Sequence, residues 1–272
     1  MNTMTTIQKA LKRYALTGLL VLSLTNCQTS HETISSPLVT EREECFLKNY
    51  IHITEEALPV TISIDLPVEG PQPLMDSLTV FLNKTLYEFF DNDGEQHLPY
   101  DSVFSKDVRK LAEHYQKAYK PFYPADSIAD HEFNSDCLEV KLVAQTNSYI
   151  TYEVDRIFYG EGVETATDWV TFVKSDGHRL TEVISNDNMM RFYKEHPEQR
   201  NNDIWESVQF HLSEHGEAEL VSSIGLLNDS VAHQYAYTAG IFEDVKYPLE
   251  TIAPYLSKEA AELTGMVKEP TE

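Results

Sequence analysis

The sequence predicts an α+β fold in which helices pack on an antiparallel sheet. Strand-like and helix-like patterns come in clumps rather than in strict alternation, which favours this class over a parallel α/β sheet. Apolar and polar residues alternate with a period of two through VTISIDL (60–66), as in a strand with one buried face. Apolar residues recur at helical spacing through residues 74–90. We therefore expect an N-terminal strand–helix part and a β-rich C-terminal part.

The individual elements follow from the same patterns. In the N-terminal part we expect strands at 46–53 and 60–66, a helix at 74–90, and a second helix at 102–119 that ends before Pro121 and Pro124. Beyond these, turn residues separate further runs. They predict strands at 137–144, 149–159, 168–173, 180–184, 220–226, 230–237 and 242–247, and helical segments at 186–216 (interrupted near Pro197), 248–256 and 258–263.

The first residues have the organisation of an export signal. Lys9, Lys12 and Arg13 precede a short apolar run, ALTGLLVLSL (15–24), which is too short to span a bilayer as a helix. The run leads into Leu24-Thr25-Asn26-Cys27, and this order resembles a bacterial lipobox, in which the cysteine becomes the lipidated first residue of the mature protein.

This start predicts the organisation and location of the chain. We expect a signal peptide at 1–26, a flexible tether at 27–40, a folded ectodomain at 41–265 and a polar tail at 266–272. Cys27 would carry a fatty acid such as palmitate. The protein would then be held in a membrane of the bacterial cell envelope and face the periplasm or the cell exterior.

The charge of the chain restricts its partners. Its 44 acidic and 21 basic residues give a formal net charge of −23 at pH 7. Nucleic acids and anionic lipid headgroups are bound mainly through Lys and Arg, so nucleic acid is excluded as a partner. An acidic surface attracts a cationic partner, although it also serves simply to keep an exported protein soluble.

Besides Cys27 the chain contains Cys45 and Cys137. In an oxidising compartment this pair has two alternatives. The cysteines form one disulfide, or they remain as two buried free thiols that behave as small apolar side chains.

The string His211-Leu212-Ser213-Glu214-His215 is the sharpest candidate for chemistry. On a helix, His211 and His215 lie one turn apart and reach one zinc ion, with Glu214 placed to polarise a bound water. The competing interpretation is the solvated face of a polar helix. No cofactor is predicted. The alternative function is an envelope hydrolase, with metal dependence through this string as one option.

Three segments of the C-terminal half resemble a known family. Phe158-Tyr159-Gly160-Glu161-Gly162, TFVKSDGHRLTEVISND (171–187) and VAHQYAYTAGIFEDVKYPLETIAPYL (231–256) follow one another in the order found in RsiV-like extracytoplasmic domains. The resemblance covers about 57–260, with the RsiV-like C-terminal part at about 150–260. It implies a ligand- or partner-binding ectodomain, as in many envelope lipoproteins of unknown function.

The best-known member of that family senses lysozyme by direct binding, but the identity of the partner does not carry over to this chain. The acidic surface makes a cationic protein such as lysozyme, or cell-wall material, the first ligand to try. The tyrosines of the last strands, Tyr235, Tyr237 and Tyr247, are candidates for partner contacts if exposed, whereas buried tyrosines would pack the sheet. A lipid-anchored, non-enzymatic binding protein is therefore the preferred hypothesis.

The lipid anchor has a direct test. Replacing the cysteine of the lipobox-like sequence (Cys27→Ala) removes the acceptor thiol, so incorporation of a labelled fatty acid should be lost. The measurement is metabolic labelling followed by gel fluorography. Labelling that persists in the variant would contradict the anchor.

Overall fold

A five-stranded sheet organises the fold and separates two apolar cores. A computed structural model of the protein describes residues 36–50, 57–90, 108–118, 136–159, 163–199, 223–237 and 241–266. The sheet has the order β1-β2-β3-β4-β5. Its strands are β1 (Val39–Tyr50), β2 (Ala57–Glu69), β3 (Asp136–Gln145), β4 (Tyr149–Tyr159) and β5 (Val163–Val173).

Neighbouring strands of this sheet are antiparallel except for β2 and β3. A parallel pair needs a long crossover, because the chain must return to the same end of the sheet before the next strand begins. Residues 70–135 make this connection. Their described part contains two helices, α1 (Gln72–Phe90) and α2 (Val108–Ala118).

The inner face of the sheet packs on these two helices. In β2 the residues Val60, Ile62, Ile64 and Leu66 alternate with polar ones and point into this core. Helix α1 contributes leucines four residues apart, which form a single stripe along its length. The members of that stripe are Leu74, Leu78, Leu82 and Leu86, each fully buried.

The outer face of the sheet carries the second core. Near the turn between β3 and β4 and near the end of β5, this face is covered by a small antiparallel sheet of order β6-β7-β8 and by three helices. These elements are β6 (Ile224–Leu226), β7 (Ser230–Tyr237), β8 (Ile241–Pro248), α3 (Asn186–Glu195), α4 (Leu249–Ile252) and α5 (Lys258–Thr264), with short 3-10 turns at Pro197–Gln199 and Ala253–Tyr255.

Side-chain to backbone hydrogen bonds attach β6 to the large sheet. The Tyr149 hydroxyl donates to the carbonyl of Leu227 at 2.7 Å, and Thr151 Oγ1 donates to the carbonyl of Leu226 at 2.5 Å. The Leu226 amide in turn donates to Thr171 Oγ1 at 3.1 Å. These buried donors and acceptors are therefore satisfied across the interface between the two sheets.

Two glycines allow close approaches in this interior. A Cβ on Gly225 would lie 2.3 Å from Cβ of Trp169, so β6 can cross the outer face here only without a side chain. Gly177 ends the turn after β5 with φ +77°, and a Cβ there would lie 2.3 Å from the carbonyl oxygen of Pro73. Glycine is needed at Gly177 for conformation and for space.

The α+β class predicted from the sequence is confirmed, and most elements lie where the patterns predict them. Strand β1 differs, since it begins at Val39, within the stretch predicted as a tether. Leu38, just before it, is buried with only 3% of its surface exposed, and its amide donates to Gln145 Oε1 at 2.7 Å. The ordered body therefore starts before residue 41.

A second difference concerns 180–184, which is not a strand. Its backbone bonds to two separate partners: the Leu180 amide donates to Thr171, and the Val183 carbonyl accepts from Ser257. Only isolated bridges form at Arg179 and Ile184, so this segment is an extended connection. The predicted helix over 186–216 is α3 followed by a 3-10 turn, and its remainder lies outside the described residues.

No helix in the described part of the chain combines the length and apolar character needed to cross a membrane.

The close approach at Gly225 predicts a large stability cost for one added methyl group. Gly225→Ala should lower the free energy of unfolding by about 3 kcal/mol, because the added Cβ would clash with Cβ of Trp169. Gly265→Ala is the matched control. It has φ +71° and nothing within 4 Å of a Cβ, so only the backbone cost of about 1 kcal/mol applies. Urea unfolding measures both, and equal costs would contradict the crowding.

Candidate binding groove

A groove of about 630 Å³ lies between the outer face of the large sheet and strands β7 and β8. It occupies the part of the outer face that the second core leaves uncovered. Its volume falls within the range of about 300–1,000 Å³ that is typical of ligand sites. Four acidic residues and Arg42 line it, the acidic ones being Glu44, Glu139, Asp155 and Asp244.

The floor of the groove contains one row of side chains that crosses all five strands. Each member pairs in register with the next, so all of them point to the same face of the sheet. We call this set the carboxylate row. From β1 to β5 it consists of Glu44, Ser63, Glu139, Asp155 and Thr167.

A second row lies beside the first and consists of the residues two positions away from it on each strand. It carries no charge, and we call it the neutral row. Its members, again paired in register, are Phe46, Thr61, Cys137, Ile157 and Thr165. Phe46 stands at the outer end of this row with 68% of its surface exposed. The floor is therefore acidic along one line and neutral along the adjacent one.

Ion pairs fix the middle of the carboxylate row. Arg42 contacts Glu139 and also Asp65, the latter at 3.0 Å. Lys141 Nζ lies 2.6 Å from Glu139 and 3.5 Å from Asp155. Burial acts to raise the pKa of Glu139, but hydrogen bonds from Lys141 and Arg42 outweigh it and hold the pKa below its usual value. Glu139 is thus ionised and already neutralised.

The β7–β8 side of the groove is joined to the floor by Gln234. Its Oε1 accepts from the Thr167 amide at 2.9 Å, and its Nε2 donates to Asp244 Oδ1 at 3.0 Å. Burial raises the pKa of Asp244. Repulsion by Asp155 adds to this, whereas the Gln234 hydrogen bond and Lys246 act in the opposite direction. Two carboxylates, from β4 and β8, therefore face one another at this end of the groove.

The opposite end of the carboxylate row is Glu44 on the edge strand β1. Within the described residues no cation pairs with it, and its side chain is exposed. Among the described residues Glu44 therefore stays unpaired, and negative charge also remains on the β4 side, where Asp155 shares Lys141 with Glu139 and Asp244 adds a second carboxylate. Glu139, between them, is neutralised by Arg42 and Lys141. Such a floor attracts cationic groups, since opposite charges favour one another most where water is partly excluded.

At the centre of the row, none of the described residues gives the buried Ser63 hydroxyl a hydrogen-bond partner. A buried hydroxyl without a partner costs about 1–3 kcal/mol, so the centre of the row carries a polar group that the described residues leave unsatisfied.

The disulfide alternative is wrong, because no disulfide joins Cys45 and Cys137. Cys45 pairs with Ile62 and points into the inner core, whereas Cys137 pairs with Thr61 and lines the groove on the outer face. Strand β2 separates them, and two strand spacings of about 4.8 Å exceed the 7 Å limit between Cα atoms of a disulfide. Cys45 follows the buried-thiol alternative.

The tyrosine candidates divide into two groups. Tyr247 is 1% exposed, and its hydroxyl lies 3.0 Å from that of Tyr193, so it packs the second core and its predicted role in partner contacts is wrong. Tyr235 and Tyr237 lie on β7, but their side chains are outside the described residues.

The remaining candidates, His211, Glu214, His215 and Cys27, also lie outside the described residues. Among the residues that are described, no group of three or more His, Cys, Asp and Glu side chains is arranged to hold a metal ion.

No local sequence pattern marks the groove as a whole. Three of its carboxylates come from β1, β3 and β4 and are brought into one row only by strand register, and the fourth, Asp244, comes from β8 of the small sheet. The one sequence pattern that points to the groove is the alternation of apolar and polar residues in β2, which places Thr61, Ser63 and Asp65 together on the face opposite the core.

Comparisons with known proteins identify related structures but no characterised relative. No family model matches the chain, and no curated protein matches it. It is similar to the crystal structure of a member of the DUF3298 family from Bacteroides fragilis, with a TM-score of 0.53, 15% identity, and coverage of 85% of this chain and 99% of that one. The shared property is the fold.

A second similar structure is a DUF3298 family protein from Pseudomonas aeruginosa, with a TM-score of 0.49, 12% identity, and coverage of 84% of this chain and 98% of that one.

The raised pKa of Asp244 predicts that its charge destabilises the fold. A folded-state pKa above the ordinary 3.8 means that the folded chain binds more protons, so stability falls as pH rises through this window. Asp244→Asn should therefore raise the free energy of unfolding at pH 7, by less than about 1 kcal/mol because the group is partly exposed, and leave it unchanged at pH 3.

Glu139→Gln is the control of opposite sign. The lowered pKa of Glu139 means that its charge stabilises the fold above its unfolded pKa, so this variant should be less stable than the parent at pH 7. Urea unfolding at pH 3 and pH 7 measures both variants. A loss of stability in Asp244→Asn at pH 7 would contradict the assigned repulsion.

Proposed function

We propose that this protein is a lipid-anchored binding protein of the bacterial cell envelope, and that the groove binds a cationic partner without chemical conversion. The observation that carries the proposal is the carboxylate row, in which a neutralised Glu139 lies between Glu44 and the Asp155–Asp244 pair, with Asp155 sharing Lys141 with Glu139. A cationic protein such as lysozyme, or amine-bearing cell-wall material, has the complementary charge.

The anchor and the location rest on the sequence. A charged start, a short apolar run and a cysteine at position 27 are typical of exported lipoproteins. The resemblance of residues 150–260 to RsiV-like domains favours the same setting, outside the cytoplasm.

The geometry of the groove favours binding over catalysis. Ion pairs with Arg42 and Lys141 keep Glu139 ionised, whereas a general acid or base works best with a pKa near the operating pH. Rigid strands fix the spacing of the carboxylates, so little side-chain entropy is lost when a cationic partner is bound.

Lysozyme is the first ligand to test. Isothermal titration of the purified protein at low salt should show binding that weakens as salt is added, because the contacts are ionic. The double variant Asp155→Asn with Asp244→Asn should lower the affinity by about tenfold or more. An acidic protein of similar size should not bind.

A matched control separates the groove from the overall charge. Glu88→Gln with Glu262→Gln removes the same two charges from exposed positions on α1 and α5, outside the residues that line the groove, and should leave the affinity within about twofold. An equal loss in both double variants would show that net charge alone attracts lysozyme. The absence of salt-sensitive binding to both lysozyme and peptidoglycan would overturn the proposed function.

A further inference from the structure

We propose that the ligand of the groove is an extended polypeptide segment that lies across the strands and carries basic side chains four residues apart. This inference rests on the proposed function and specifies the chemistry of its partner. It follows from the spacing of the carboxylate row, from the direction in which side chains leave an extended chain, and from the neutral row beside it.

The spacing comes from strand register. Glu44 lies on β1 and Asp155 on β4, in the same cross-strand row. Three strand spacings of about 4.8 Å place the two carboxylates about 14 Å apart. An extended chain advances about 3.4 Å per residue, so residues i and i+4 are also about 14 Å apart.

Whether the spacing is an even or an odd number of residues matters as much as the distance, because it decides which face of the segment each side chain occupies. Side chains of an extended segment alternate between two faces, so residues i, i+2 and i+4 face the floor together. Basic groups at i and i+4 then reach Glu44 at one end and the Asp155–Asp244 pair at the other. At a spacing of three residues, the second basic group points away from the floor.

The centre of the row sets the residue between them. Position i+2 lies over Ser63 and over Glu139, whose charge Arg42 and Lys141 already neutralise. A third basic group there would meet the cations of Arg42 and Lys141, so a small uncharged residue such as serine or threonine fits best.

The neutral row accommodates the body of the segment. Thr61, Cys137, Ile157 and Thr165 line the groove without charge and present methyl and hydroxyl groups. Phe46 extends this row at its exposed end, where it offers an aromatic face to a basic side chain. Within the described residues, the neutral row offers hydroxyl groups and one exposed aromatic ring, Phe46, and this combination suits a peptide better than a sugar, since sugars stack on aromatic platforms.

The test uses capped nine-residue peptides of serine and threonine with two arginines. One peptide has the arginines at positions 3 and 7, and the control has the same composition with arginines at positions 3 and 6. Fluorescence anisotropy with the purified protein at low salt should give an affinity about fivefold higher for the first peptide. Glu44→Gln should abolish this preference, and Glu88→Gln should preserve it.

The outcomes separate this inference from the proposed function. Equal affinities for the two peptides, or a preference that persists in Glu44→Gln, overturn the spaced segment while lysozyme binding sustains the function. If neither peptide binds and lysozyme also fails to bind, the function and the inference both fail. A preference for spacing four that depends on Glu44 supports both.

Discussion

The register of β2 is the constraint on which the rest of the structure depends. Because side chains alternate along a strand, Ile62 and Ile64 enter the inner core while Ser63, between them, lies on the groove floor. A slip of one residue would exchange the two faces and place the isoleucines in the groove. The long pairing with β1 and the buried leucine stripe of α1 hold this register, so the same burial that stabilises the fold also positions the carboxylate row.

The outer face shows how one surface serves two purposes. At one end Trp169, Tyr149 and the bare backbone at Gly225 pack against the small sheet and make the second core. At the other end the same strands carry charge. The centre of that charge is neutralised by Arg42 and Lys141, whereas Asp244 remains beside Asp155 at some cost to stability.

Local patterns predicted many elements of this fold because they reflect burial of one face. The alternation at 60–66 and the helical stripe at 74–90 both gave the correct element. Predictions that depended on which face a residue occupies were less successful. Cys45 and Cys137 lie on opposite faces of the sheet, and Tyr247 lies in a core, so neither the disulfide nor the contact role was correct. The segment 180–184 failed because its backbone partners come from two distant parts of the chain.

The sequence by itself determined the class of fold, the acidic character of the protein and the resemblance of its start to a lipoprotein signal, since each depends on composition or on neighbouring residues. Only the tertiary structure decided where the charge is concentrated. Glu44, Glu139 and Asp155 are distant in sequence, and strand pairing alone aligns them in one row about 14 Å long between its end carboxylates. Register is set by long-range pairing and by burial of whole strands, which no local pattern of residues contains.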